Sequence, residues 1–270
     1  MPSLVLRHCT ALVAQLRVTY WIVICLALAA TVAQAQTAPE NAGPNANILR
    51  WAEGKFAYRA LKAQTERGWE RYRLTVHPDG TRTMLMWHDV FARNSQFTVM
   101  FRVDQNFRPL QGFISYWTAT GFKGTALIDV QGDTLTAISS GPGGRKTESI
   151  PVPARFSLGS HPVSADGWHM AAENAAAKGV QTGTVYSMEA STDLKLLPIG
   201  TLRPQEFEIV GKETITVPAG QFDTVHYKIS GTVDVWIMGT DRLMVRMVNT
   251  PRDLDYVLTE FTSGGETAKR

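Results

Sequence analysis

Gly211-Lys212-Glu213-Thr214-Ile215-Thr216-Val217-Pro218-Ala219-Gly220-Gln221-Phe222-Asp223-Thr224-Val225-His226-Tyr227 decides the fold. Ile215 and Val217 alternate with threonines up to Pro218-Ala219-Gly220, and Val225, Tyr227 and Ile229 then share one face of a return strand. Strict alternation on both sides of a Pro/Gly turn reads as a β-hairpin. The pattern carries on downstream: Val233, Val235 and Ile237, a turn at Gly239-Thr240-Asp241, then Leu243, Val245 and Met247, and finally Leu254, Tyr256 and Leu258. Short strands joined in sequence by tight turns make a meander.

Working upstream, the same signature recurs every 8–12 residues. Arg71 to Val76 runs into His77-Pro78-Asp79-Gly80, where Pro at the second position suits a type I turn, and Thr81 to Val90 returns with Thr83, Leu85 and Trp87 on one face. Phe97, Val99, Phe101 and Val103 form a period-2 row, with Phe113 to Trp117 as partner. Ala126 to Val130 and Thr134 to Ser139 flank Gly132-Asp133. Residues 141–146 read as a mobile loop. One stretch departs from the two-residue period: Ser164 to Lys178 predicts a short helix, with Ser164 as N-cap, Gly179 as the stop, and Trp168, Ala172 and Ala175 on one face. The expected fold class is mainly β: a curved antiparallel meander or half-barrel with one or few short helices.

The first 35 residues read separately. Arg7 and Arg17 precede an apolar run from Tyr20 to Ala30, which ends at Ala33-Gln34-Ala35; together these make a secretory signal peptide. The run is shorter than a membrane span requires, so no stable span is expected after cleavage. Residues 36–48, rich in Ala, Asn, Pro and Thr, predict a flexible tether, residues 49–262 a single β-rich domain, and residues 263–270 a disordered tail. Cys9 and Cys25 both lie in the leader, so the exported chain has no disulfide, thiolate ligand or thiol nucleophile. Without Arg7 and Arg17, the 27 basic residues become 25 against 24 acidic ones, a balance that argues against nucleic acid as a partner and gives no polybasic membrane patch.

Run 211–227, with Asp234-Val235-Trp236-Ile237 and Leu243-Met244-Val245-Arg246, resembles a group of exported bacterial domains of unknown function. In that group a strand ends in V-P-A-G-x-F-x-T and the next strands read W…D…L-x-V-R. The group is similar to the half-barrel lipoprotein-localisation factors, in which a curved sheet wraps helices and shelters an apolar cavity. The resemblance covers residues 205–262 and is looser over 50–204. It implies fold and a periplasmic location, and carries no catalytic residue.

Met84 and Met86 sit opposite Leu85 and Trp87, and Trp236 and Met238 sit opposite Val235 and Ile237. A sheet with one wet face reads more polar than this, so either the sheet is covered on both sides or one side lines a cavity. The function expected is the binding or carriage of an apolar ligand such as a lipid or acyl chain, with Trp87, Trp117, Trp168, Tyr227 and Trp236 as the lining. An envelope hydrolase or isomerase is the alternative, built on His169, Asp166 and Glu173 at a cavity mouth. His169 and Glu173 are spaced i, i+4 and read equally well as a helix-surface pair. A third reading is an assembly partner that binds by an open sheet edge. No nucleophile elbow, phosphate loop or dinucleotide fingerprint occurs, and no cofactor is expected. The five histidines beyond the leader lack metal-ligand spacing, so no metal is expected either. His226 reads as solvated, and Asp234 as the cross-strand partner of Arg246.

Overall fold

The computed structural model describes residues 47–265. One antiparallel sheet dominates; it takes in the strands expected from alternation, and also Arg50–Ala60, Gly144–Pro151, Ser157–Gly159 and Val180–Met188, which the sequence reading did not single out. Its strands are β1 (Arg50–Ala60), β2 (Glu66–Val76), β3 (Arg82–Val90), β4 (Ser95–Val103), β5 (Pro109–Thr118), β6 (Gly121–Gln131), β7 (Thr134–Gly141), β8 (Gly144–Pro151), β9 (Ser157–Gly159), β10 (Val180–Met188), β11 (Gly200–Val217), β12 (Gly220–Ile229), β13 (Val233–Met238), β14 (Leu243–Asn249) and β15 (Leu254–Gly265). They pair in the order β8-β7-β6-β5-β4-β3-β2-β1-β15-β14-β13-β12-β11-β10-β9. Two meanders, β1 to β8 and β10 to β15, are thus stitched together where β1 meets β15, and only three-residue β9 joins in parallel, beside β10.

The two ends of the sheet approach each other. Tyr186 on β10 donates to Glu148 on β8 at 2.9 Å. The 189–199 loop is held on β6, because Lys123 Nζ donates to the carbonyls of Ser191 and Asp193. The expected mobile loop at 141–146 is instead the tight turn of hairpin β7–β8, with Gly141 opposite Gly144. β15 continues to Gly265, past the boundary expected at 262. The leader at 1–35 and nearly all of the tether lie outside the described residues.

Alternation sends Met84, Met86 and His88 inward and Leu85 and Trp87 outward. The concave face is not hollow, however. After β8 the chain turns inside and crosses it, burying Val152, Phe156, Leu158, Val163, Ala165, Trp168 and Met170 in one core with the inner residues of both meanders. Gly112 on β5 leaves room for Leu158: a Cβ there would lie 3.2 Å from the leucine Cδ1. At the far end Gly167 sits so close to Arg242 that a Cβ would lie 2.0 Å from its carbonyl oxygen. We call residues 152–170 the plug.

The helix expected over 164–178 is absent as such. A five-residue 3-10 turn, Asp166–Met170, stands in its place, and no α-helix occurs among the described residues. The reason is tertiary. Ser164, the expected N-cap, gives its hydroxyl to Glu70 instead, and Asn174 N–H is taken by the Gln181 side chain. Ala175, expected on the buried face with Trp168, is exposed. Accordingly, no helix in the described residues is long and apolar enough to cross a membrane.

Candidate functional site

The five aromatic residues expected to line one cavity do not meet. Trp168 and Tyr227 are inside. Trp168 is 4% exposed and donates its indole N–H to the Asp241 carbonyl at 3.0 Å, so it belongs to the packed plug. Tyr227 donates to Glu173 at 2.5 Å, and Arg242 Nη2 donates to the other oxygen of that carboxylate at 2.6 Å. Burial and the carboxylate raise the Tyr227 hydroxyl to a pKa of about 12. Trp87, Trp117 and Trp236 lie on the convex face. Trp87 lines an outer groove with Arg71 and Phe261, Trp117 is 51% exposed, and Trp236 stacks on His226 with ring centroids 4.5 Å apart.

His226 is not freely solvated. Its Nδ1 lies 3.0 Å from Glu213 and its Nε2 2.9 Å from Asp234. The expected Asp234–Arg246 pair fails on register: Asp234 faces Val248, Arg246 faces Trp236, and the Arg246 guanidinium pairs with Asp255. Two-sided apolarity has a plain cause on β3 to β7. Leu85, Met100, Phe113, Leu127 and Ile138 stand directly opposite one another in successive strands, a stripe across the outside of the sheet.

His169, Asp166 and Glu173 divide. Because the helix does not form, Glu173 turns to Tyr227 and Arg242 instead of His169. His169 and Asp166 stay together, Nε2 to Oδ1 at 3.3 Å. Ser157, which the sequence reading missed, approaches His169 Nδ1 with its hydroxyl at 2.8 Å. Nothing local in the sequence marks Ser157, since its partner is twelve residues away across the plug. His169 stands between two clefts. One, about 650 Å³, is lined by Phe107, Trp168, Glu173 and Arg242. The other, about 430 Å³, opens between the plug and strands β10 to β15. Ser157 lines neither.

The 430 Å³ cleft is lined by apolar and polar side chains together and is bordered by three arginines. Val185 and Met188 come from β10, Ile229 from the end of β12, Val233 from β13, Met247 from β14 and Leu254 from β15, while Arg93, Arg203 and Arg252 also border it. The plug supplies His161, Val163, Asp166 and His169 as the facing wall.

Behind that wall lies a buried group of titratable residues in mutual contact. Glu70, fully buried on β2, accepts hydrogen bonds from Tyr58 Oη, Val163 N at 2.7 Å, Ser164 N at 3.0 Å and Ser164 Oγ at 2.5 Å. Desolvation dominates all the same and raises its pKa to about 7. Tyr58 Oη also lies 3.3 Å from His88 Nδ1, and the His88 and His161 rings meet edge to face, with centroids 4.8 Å apart. His161 Nε2 lies 3.0 Å from Arg93 Nη1. Burial pushes His88 well below the usual imidazole range; burial and then Arg93 lower His161 to about 4. Both rings are therefore neutral at pH 7. Among the described residues no cluster of three or more His, Cys, Asp or Glu has the makings of a metal site.

No family model matches the chain, and neither does any curated protein. The fold does have solved counterparts. A β-barrel-like protein of the domain of unknown function DUF1849 from Brucella abortus aligns with a TM-score of 0.51 at 10% identity, covering 80% of this chain and 98% of that one. A DUF1089 family protein from Pseudomonas aeruginosa aligns at 0.42 and 9% identity, covering 66% and 88%. A protein with a YmcC-like fold from Bacteroides fragilis aligns at 0.25 and 11%, covering 79% and 94%. The first of these shows the fold to be β-barrel-like.

Proposed function

We propose that this is an exported periplasmic protein that binds an anionic amphiphile, such as a fatty acid or acyl lipid, in the cleft between the plug and β10–β15. The observation that carries the reading is the presence of apolar side chains (Ile229, Val233, Met247, Leu254) and three arginines around the same 430 Å³ cleft. That volume lies in the range of small-molecule sites. An apolar body gains free energy by leaving water, and the arginines favour an acidic end. The centre of the half-barrel is not the site, because the plug fills it. In lipoprotein-localisation factors, which the C-terminal strands resemble at one remove, helices occupy that place. The leader at 1–35 supports export.

Displacement of a fluorescent anionic fatty-acid probe tests this. Wild type takes up the probe, Met247→Trp fills the cleft and abolishes uptake, and Arg93→Ala or Arg252→Ala weakens it about tenfold, the cost of one lost charge-assisted contact. A wild type that ignores the probe, and yields a clean organic extract from several hosts, sinks the reading.

The hydrolase alternative is favoured by one contact, Ser157 Oγ to His169 Nδ1, with Asp166 on the far ring nitrogen. Ser157 is buried and lines neither cleft, so this reading stands only on labelling of Ser157 by a fluorophosphonate that is lost in His169→Ala, and an unlabelled wild type ends it.

A further inference from the structure

The buried polar groups behind the cleft can be given proton positions from their partners alone. Every partner of Glu70 is a donor, so Tyr58 Oη gives its proton to the carboxylate. The Tyr58 oxygen then has only lone pairs to offer His88 Nδ1, which must carry its proton there, leaving Nε2 bare. At the other end Arg93 has only N–H groups to offer, so His161 Nε2 is the acceptor and the His161 proton sits on Nδ1. His88 Nε2 and His161 Nδ1 are both buried without a hydrogen-bond partner. One is thus an orphaned acceptor and the other an orphaned donor, on rings in edge-to-face contact. One water between them, accepting from His161 Nδ1 and donating to His88 Nε2, is the link that the relay proposed below requires. The chain then runs in one direction throughout, from Arg93 to Glu70.

The same five residues have a second self-consistent arrangement. Once Arg93 leaves His161, a proton arriving at His161 Nε2 pushes the Nδ1 proton through the water to His88 Nε2. The His88 Nδ1 proton passes to Tyr58, and the Tyr58 proton passes to Glu70. One proton is taken from solvent, one appears on the carboxyl, and every intermediate group ends neutral with its hydrogen reversed. In that state His161 Nε2 is itself a donor, so Arg93 cannot return.

We propose that Glu70, Tyr58, His88, His161 and Arg93 form a two-state proton relay, which makes protonation of the buried carboxyl and release of Arg93 into the cleft one coupled event. The coupling to ligand rests on the amphiphile reading above, since an acidic end at the rim competes with His161 for Arg93. The relay itself does not need that reading. The other ionisable groups around it act through charge and not through a hydrogen bond to the relay: Tyr72 and Tyr256, both raised by burial, feel Glu70, Tyr256 also feels Arg67 and Arg252, and Asp166 acts on Tyr58. Both rings stay neutral while Glu70, at about 7, changes state.

The test begins without ligand. In protein labelled with ¹⁵N-histidine, NMR reads the tautomers of His88 and His161 between pH 8.5 and 5.5. Wild type switches both rings together, from Nδ1–H to Nε2–H, as pH falls through about 7. Tyr58→Phe, which leaves the three plug contacts of Glu70 in place, uncouples the rings from the carboxyl, and Glu70→Gln removes the pH dependence. Tautomers that stay fixed in wild type overturn the relay. The second arm measures fatty-acid probe affinity over the same range. Affinity rises as pH falls, by up to about tenfold per unit above the Glu70 midpoint, the limit for one coupled proton, and this slope vanishes in Tyr58→Phe. Probe binding that is independent of pH overturns the coupling and leaves the cleft reading standing. Switching tautomers with no probe binding at any pH establishes the relay and ends the amphiphile reading.

Discussion

Glu70 concentrates the chemistry of the molecule in one side chain. Its carboxylate has four donors around it and still loses more by leaving water than they return, because burial in a low-dielectric core penalises the charged form. The sign follows by linkage. A carboxyl that titrates near 7 when folded and 4.5 when unfolded keeps a proton that the unfolded chain has released, so its contribution to stability falls as pH rises from 4.5 to 7 and is constant above. Glu70→Gln is expected to escape that loss. Its stability relative to wild type rises across this window by on the order of 3 kcal/mol at most, measurable as a pH-dependent urea midpoint. His161 acts in the opposite sense. With its folded value lowered to about 4, it costs stability as pH falls below 6.5, and His161→Gln flattens the acid limb of the same curve.

Among the elements, the plug departs furthest from what its sequence suggests. Trp168 is its largest buried side chain and is fixed at both ends, by core packing and by the Asp241 carbonyl. Trp168→Ala is expected to cost about 3–5 kcal/mol in chemical denaturation, the range for emptying a buried aromatic site. Strand geometry sets a second test. Gly124 on β6 has φ +148°, and a Cβ there would lie 2.4 Å from the Ser140 carbonyl of β7. Gly124→Ala must shift that strand pair, and a loss of about 1–3 kcal/mol should appear in the melting temperature.

Across the whole molecule, the two meanders are held by more than the β1–β15 ladder. Asp241, in the turn between β13 and β14, accepts from Arg50 on β1 at 2.6 and 2.7 Å and from Arg82 on β3 at 2.9 Å. The two guanidiniums hold the Asp241 carboxyl below its usual range despite burial. Asp241→Ala leaves two poorly hydrated cations facing each other and is expected to cost about 3–5 kcal/mol. The stability this carboxylate contributes is present above its unfolded pKa and is lost as pH falls through its lower folded value. Acid unfolding of wild type should therefore be steeper than that of Asp241→Ala.

The strands were legible because their signal is local. A period of two, broken by Pro, Gly and Asp, needs no partner to be read, and His77-Pro78-Asp79-Gly80 and Gly132-Asp133 turn where alternation stops. The sites were not legible, for the same reason turned round. Glu70 is bonded to residues 93 and 94 positions away, and Ser157 meets His169 only because the plug doubles back. Ser164 to Lys178 carries a helical pattern, but Glu70 and Gln181 take the hydrogen bonds a helix would have used. Sequence alone thus determined a curved antiparallel meander with apolar inner positions. Only the tertiary structure decided that the chain fills its own half-barrel and leaves the open cleft to one side, because burying 152–170 frees more apolar surface from water than local helix propensity can offset.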